Sequence, residues 1–341
     1  MLPTRDDVAR LAGVSSATVS YVINNGPRPV AEPTRLRVLQ AIEELGYQPS
    51  EVARSLKTKT TASIGLIISN IELNFFTRVA RSVQDAASAL GCTVILANTD
   101  EQPAREADYI RLMSSKRVDG LIISPTSANG ALLASLQQRG IPVVTIDRPV
   151  PGLVAPYVGI DNHKAAREAV NYLIYHGHRR IGMVAGLPTL APIAERSAGY
   201  RSALRSAGLP VDEALVRVVE SHELVQYQLA CHSAMDLLRQ QPEVTALFAT
   251  NADLNMGVLS AVRELELHCP EEISLAGFDD MVCFEFASIP LTTVRQPAYA
   301  IGAAAMQVLA RMIVGEAPPD APILLETELV VRDSVAAPRS T

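Results

Sequence analysis

The chain has 341 residues, enough for two or three domains with a sizeable core, and is 48% hydrophobic but only 4% aromatic, with no Trp. That is the composition of an ordinary soluble α/β protein. The longest apolar runs, such as 64–68 and 120–124, are strand-length, far short of the roughly 20 residues of a membrane span. The opening MLPTRDDVARLAG carries acidic residues where a signal peptide needs a basic start and an apolar stretch, which predicts a cytoplasmic protein. Cys92, Cys231, Cys269 and Cys283 are far apart with no CxxC pair, as expected of reduced thiols. The net charge of −6 is unevenly spread: residues 1–60 carry eight Lys/Arg against six Asp/Glu, and the remainder carries 22 against 30. A DNA-binding protein needs cations only where phosphates approach, and an acidic body limits non-specific adhesion.

Thr4-Arg5-Asp6-Asp7 fits an N-cap followed by an acidic third position, and Val8, Ala9, Leu11 and Ala12 supply an apolar face. Gly13 suits a tight turn with positive φ, and Val14 can point inward. Ser15 is a good N-cap for a second helix over 16–24, where Val19, Val22 and Ile23 share a face. A third helix is predicted over about 33–45, with Pro33 in its first turn, Gly46 past its end, and Leu36, Leu39, Ile42 and Leu45 in one stripe. Two short helices joined by a glycine turn form the helix-turn-helix pattern. A helix entering the major groove presents its first turn to base edges and phosphates. Ser16, Thr18 and Ser20 supply hydroxyls, and the Ala17 methyl can meet a thymine methyl. The pattern alone also suits a surface helix of a small α-domain.

Residues 49–62, PSEVARSLKTKTTA, contain helix formers followed by a basic, Thr-rich tail. Taken alone they read best as a solvated linker with a stray leucine. From residue 62 strands and helices alternate. Strands are predicted at 63–69, 93–97, 120–124, 142–146, 158–160, 181–185, 216–219, 246–250, 273–276, 292–295 and 324–331. Alternation of this kind implies parallel sheets with covered faces. Crossovers near 160–161, 289–292 and 319–324 would divide them into two lobes with a cleft. In open α/β sheets ligands sit beyond the carboxyl ends of strands. Phe75, Phe76, Asp147, Arg196, Asn251, Asp279 and Asp280 fall there. Carboxylates, an arginine and an amide suit adjacent sugar hydroxyls, and an aromatic suits the apolar face of a sugar ring. Asp280 fits a helix cap equally well, and Phe75 fits a core position.

Catalytic and metal motifs are missing from the sequence: there is no HExxH, GxSxG, GxxxxGK[ST] or strand-linked GxGxxG, and the six histidines show no metal spacing. No cofactor, metal or catalytic residue is expected.

The segments TRDDVARLAGVSSATVSYVINN and TRLRVLQAIEELGYQPSEVARSL resemble the DNA-binding head and hinge of the LacI family of bacterial transcription regulators, almost unbroken from Thr4 to Leu56. The resemblance implies an α/β fold: an N-terminal three-helix helix-turn-helix head plus a two-lobed periplasmic-binding-protein-like core with parallel sheets. The implied domains are a DNA-binding domain at 1–48, a hinge at 49–61 and an effector-binding and dimerisation core at 62–341. The core divides into one lobe of about 62–160 plus 292–320 and another of about 161–291 plus 321–333. Thr4, Ser15, Ser16, Ala17, Thr18, Ser20, Tyr21 and Asn24 would contact operator DNA. Arg54 and Lys57 would meet phosphates, and Leu56 would wedge a central base step from the minor groove. The arginine of RxxGY (Arg196), the asparagine after the TN turn (Asn251) and the first aspartate of GFDD (Asp279) would bind effector.

Three departures from the family pattern stand out. Tyr21 replaces an arginine that reads guanine in several members. Ala31 replaces the serine that caps the third helix. His222 aligns loosely with a stacking Trp or Phe, and fits a solvated loop equally well. The implied function is a homodimeric, cytoplasmic repressor that binds a palindromic double-stranded operator, is controlled by a small molecule, most simply a sugar, and has no membrane partner. Co-repression by a purine or a phosphocarrier protein is the alternative within the family. A solute-binding receptor without a DNA role is the alternative outside it. The tail after Val331 has no leucine heptad, which predicts no C-terminal tetramerisation helix.

Overall fold

Helix α1 (Arg5–Ala12) begins on a complete capping box, in which the Thr4 side chain accepts from the Asp7 N–H and the Asp7 carboxylate accepts from the Thr4 N–H. It ends at Gly13, whose left-handed φ of 63° returns its N–H to the Ala9 and Arg10 carbonyls. Helix α2 (Ser16–Asn24) follows, with the Ser15 hydroxyl accepting from the Thr18 N–H. Helix α3 (Glu32–Leu45) closes the bundle. The structure, a computed structural model, describes residues 3–24, 29–48, 60–220 and 226–339, and divides into two compact units at Ala62–Ser63.

The first unit packs around Val8, Ala9, Ala12, Val19, Val22, Val38 and Ala41. Half of the stripe expected on α3 is found inside: Ile42 and Leu45 pack against the core, whereas Leu36 and Leu39 are 57% and 43% exposed, and Leu11 of α1 is 47% exposed. The inward line is Val38, Ala41, Ile42 and Leu45, the i, i+3, i+4, i+7 row. Alanines at 9, 12 and 41 bring the helices close enough that larger side chains are not needed there. Ala31 caps α3 with no side-chain hydrogen bond. Ala31→Ser is expected to stabilise the head by about 1 kcal/mol. Hydrogen exchange over residues 32–45 checks this, and unchanged protection would mean that the helix end is already satisfied.

The second unit opens with β1 (Ser63–Ile68), α4 (Asn74–Ala89), β2 (Thr93–Asn98), α5 (Pro103–Lys116), β3 (Gly120–Ile123), α6 (Gly130–Gln138), β4 (Val143–Ile146) and β5 (Tyr157–Gly159). A second series follows: α7 (Asn162–Tyr175), β6 (Ile181–Ala185), α8 (Ala191–Ser206), β7 (Val216–Val218), α9 (Gln226–Gln240), β8 (Ala246–Ala249), α10 (Ala252–Glu264), β9 (Ser274–Phe278) and β10 (Thr292–Arg295). Helix α11 (Ala298–Ile313), β11 (Ile323–Leu324) and β12 (Glu328–Val330) complete it. The strands form two six-stranded sheets, ordered β11-β5-β4-β3-β1-β2 and β12-β10-β9-β8-β6-β7. All pairings are parallel except β10–β12. Central strands such as SIGLII and GLII are buried almost throughout, as expected of sheets covered on both faces. Helices pack on those faces in tight pairs. A Cβ on Gly199 of α8 would lie 2.4 Å from the His163 carbonyl of α7, and one on Gly302 of α11 would lie 2.6 Å from the Val79 carbonyl of α4. Among the described residues no helix is long and apolar enough to cross a membrane.

The lobe boundaries expected after residue 290 need two corrections. Strand β10 pairs with β9, so residues 292–295 belong to the second lobe, and the crossover lies at Gln296–Pro297. The single strand expected at 324–331 is two strands in different sheets. Ile323–Leu324 pairs with β5 of the first lobe, and Glu328–Val330 with β10 of the second. An apolar run marks a strand but not its sheet, and the third crossover at 325–327 is too short to interrupt that pattern. The first crossover lies at 160–161, as expected.

Candidate functional site

The carboxyl ends of both sheets face a cleft of about 590 Å³. From the first lobe, Leu73–Phe76 follow β1 and Asp147–Arg148 follow β4. Phe75 is half-buried on the wall, while Phe76 is 3% exposed and belongs mainly to the core, its ring 4.9 Å from that of Phe75. Asp147 takes a left-handed φ of 64° and accepts from Arg148 Nε at 2.8 Å and Ser124 Oγ at 3.2 Å. Arg148 in turn grips Glu101 with two hydrogen bonds of 2.6 and 3.0 Å. Burial works against the Arg148 charge, but Asp147 and Glu101 outweigh it and raise its pKa. Tyr157 Oη donates to the Asp147 carbonyl at 3.0 Å, and burial above all pushes the phenol up, so it stays a donor.

From the second lobe, Arg196 of α8 is 4% exposed and lies 3.7 Å above the Phe278 ring. Its Nε donates to Asn162 Oδ1 at 2.9 Å, and its Nη1 donates to the Thr250 carbonyl at 2.8 Å and to Asp279 Oδ2 at 3.1 Å. Among the described residues Nη2 has no hydrogen-bond partner, and Arg196 lines the cleft. Asp279 has a φ of 69° and accepts a second bond, from Gln296 Nε2 at 2.5 Å. Asn251 caps α10 with Oδ1 accepting from the Leu254 N–H, and its Nδ2 lies 3.4 Å from Gln226 Oε1. Asp253 is half-buried at the cleft, its carboxyl pushed up by burial and then by Asp279 and Glu72.

Phe75, Phe76, Asp147, Arg196, Asn251 and Asp279 thus share one cleft. His222 lies outside the described residues. Asp280 is no helix cap. Its carboxylate accepts from Thr293, Arg295 and Arg332, a fate that adjacency to Asp279 disguised. Several supporting residues escaped sequence reading. Glu101, Asn162 and Gln296 act through other polar side chains, and only the placement of Asn162 and Gln296 beside crossovers could have flagged those two.

On the helix-turn-helix unit, the Thr4 hydroxyl is spent on the capping box, and it heads the causes that hold the Asp7 carboxyl below the usual range. Ser15 and Thr18 hydroxyls lie 2.9 Å apart. Ser16 Oγ donates to Asp6 Oδ1 at 2.6 Å. Ala17 is exposed, and Tyr21 is half-exposed one turn later. Asn24 ends α2, and Ser20 engages a partner within the structure. Arg54, Leu56 and Lys57 lie outside the described residues.

A helix-turn-helix unit followed by a two-lobed core with a polar cleft defines a class of DNA-binding transcription regulators, not enzymes. Two family descriptions match: "Bacterial regulatory proteins, lacI family" over residues 4–50, and "Periplasmic binding protein-like domain" over residues 170–335. The "Probable HTH-type transcriptional regulator EndR" of Paenibacillus polymyxa is 36% identical over 316 residues, 92% of this chain and 91% of that protein. The HTH-type transcriptional repressor PurR of Vibrio atlanticus is 34% identical over 335 residues, 98% and 99% of the two chains. Among solved structures, a transcriptional regulator CelR–cellobiose complex aligns with a TM-score of 0.72 and 32% identity, over 97% and 99% of the chains. The lac repressor dimer bound to operator and the anti-inducer ONPF aligns with a TM-score of 0.87 and 25% identity, over 99% and 100%. The chain belongs to the LacI family of bacterial transcription regulators.

Proposed function

We propose that this regulator is a cytoplasmic, homodimeric repressor that binds a palindromic operator and is controlled by a small neutral sugar in the interlobe cleft. The observation that carries the effector reading is the Arg196–Asp279 pair. An arginine and a carboxylate held 3.1 Å apart offer a donor and an acceptor side by side, which is what vicinal hydroxyls require. Phe75 supplies an apolar wall, and Asn251 and Asp147 add polar groups. The full-length likeness to a regulator solved with cellobiose supports the same reading. In the head, Ser16, Ala17 and Tyr21 would read base edges. In the hinge, residues 49–61, Leu56 would wedge the central step while Arg54 and Lys57 meet phosphates. The likeness to an operator-bound dimer supports this part.

Purine co-repression is the second reading, favoured by the likeness to repressors named PurR over 98% of the chain. The carboxylates at 147, 253 and 279 weigh against it, because purine edges mix donors with ring-nitrogen acceptors. Calorimetry with cellobiose, glucose, ribose, hypoxanthine and guanine separates the two, coupled to anisotropy on DNA selected by the protein. A sugar that binds and lowers operator affinity roughly 5- to 150-fold supports the proposal. A purine that binds and raises operator affinity would replace it.

A further inference from the structure

Ser16 opens α2 with its proton already committed, since Oγ donates to Asp6 Oδ1 on α1 at 2.6 Å. We propose that Asp6 is a specificity-determining residue of operator recognition, which fixes Ser16 as a hydrogen-bond acceptor and selects cytosine in the major groove. The inference rests on the reading that the first turn of α2 enters that groove.

An unrestrained serine hydroxyl both donates and accepts, so it accommodates several base edges. An ionised carboxylate only accepts, so the hydrogen between the two oxygens must come from Ser16. Ser16 is left with lone pairs to offer, and the second oxygen of Asp6 adds another acceptor beside them. Asp6 is exposed, and Asp6 Oδ2 makes no hydrogen bond to the described residues. Its neighbour Asp7 cannot play this part, because Thr4 and Arg10 already occupy its carboxylate. In the major groove cytosine shows a donor with no acceptor. Adenine pairs its donor with N7, guanine shows two acceptors, and thymine shows an acceptor and a methyl. Two acceptor oxygens, one of them charged, therefore favour cytosine over adenine, whose N7 opposes the second oxygen, and are repelled by guanine and thymine. The same charge also opposes phosphates of every sequence, so Asp6 exchanges general affinity for discrimination. A purely structural role is a poor account of the contact. Helices α1 and α2 are already joined through Val8, Ala9, Ala12, Val19 and Val22, beneath a bond that lies at the surface.

The test is selection from a randomised duplex library with the full-length chain, followed by competition binding on the selected site and its single-base variants. The wild-type protein should select a cytosine at one position of each half-site, with roughly 5- to 100-fold discrimination there. Asp6→Ala and Ser16→Ala should both relax that position. Asp6→Ala should also bind scrambled DNA more tightly, because a charge that opposes every phosphate is removed, while the readout that a merely structural contact would not move is the base preference of Asp6→Asn. Asp6→Asn should move the preference towards adenine, since an amide both donates and accepts; it also decides the matter if Asp6→Ala loses helicity. Selection of the same cytosine by Asp6→Ala and Asp6→Asn would overturn the proposal, as would a base other than cytosine at the position that responds to Ser16→Ala. If neither Ser16→Ala nor Asp6→Ala changes any position, the placement of α2 in the groove falls with it.

Discussion

Replacing Arg196 by Ala is expected to abolish the effector response and to lower the stability of the core by about 3–5 kcal/mol. The guanidinium is 4% exposed and serves three acceptors on three segments: Asn162, the Thr250 carbonyl and Asp279. Truncation takes this donor from Asn162 and the Thr250 carbonyl, leaves Asp279 with Gln296 alone, and removes the stack on Phe278. Asp279→Ala should cost less, because Arg196 keeps two acceptors and its aromatic platform. The double variant should cost less than the sum, since the two residues share one contact. Operator binding without effector should survive in every case, because the head is a separate compact unit. Urea unfolding followed on the core transition measures the first effect, and effector calorimetry the second. A loss below about 1 kcal/mol for Arg196→Ala would mean that solvent reaches the pair and screens it.

Asp280→Asn should be nearly as damaging, and its cost should depend on pH. The carboxylate is 6% exposed and accepts from Thr293, from Arg332 at 2.8 and 3.2 Å, and from Arg295 at 2.8 and 3.0 Å. Burial pushes its pKa up, but the hydrogen bonds from Arg332, Thr293 and Arg295 outweigh burial and hold it below the usual range. A carboxyl held low in the fold contributes fully above its unfolded value of about 3.9, and the contribution vanishes as pH falls through the lower folded value. At neutral pH the substitution should cost about 3 kcal/mol, because it leaves the Arg332 guanidinium, whose side chain is 9% exposed, without its carboxylate, whereas Arg295 is exposed and keeps Glu328. As pH falls through that lowered folded value, wild type and variant should converge. Thermal midpoints from pH 2.5 to 7 check this, and parallel curves would show that Asp280 carries no linked proton.

Much of this was legible in the sequence, for identifiable reasons. Covered parallel strands such as Ile64–Ile68 and Gly120–Ile123 read as unbroken apolar runs, and their cap and turn residues punctuate them. The cleft residues were legible because ligands sit at strand carboxyl ends, where Asp147 and Asp279 stand directly after β4 and β9 and Asn251 stands two residues after β8. What did not show was pairing across long stretches of sequence. No local pattern ties Asp280 to Arg332 or assigns Thr292–Arg295 to the second sheet. On α3 the error was one of phase. Leu36 and Leu39 are the larger apolar residues but are exposed, whereas the inward row begins at Val38, relies on Ala41 and includes the expected Ile42 and Leu45.

The order in which the segments are laid down has a consequence for a chain still on the ribosome. The helical head is finished by residue 46, with all its partners nearby in sequence, and such local folds form early. Neither sheet can be completed until the closing strands arrive, because Ile323–Leu324 supplies one edge and Glu328–Val330 the other. Ser334, fully buried between Leu275 and Thr292, seals the second sheet later still. A nascent chain therefore carries a folded helix-turn-helix head through most of its synthesis while its sensor is incomplete. A premature stop before residue 323 deprives both lobes at once, leaving a soluble head on an unfinished body for proteases to remove.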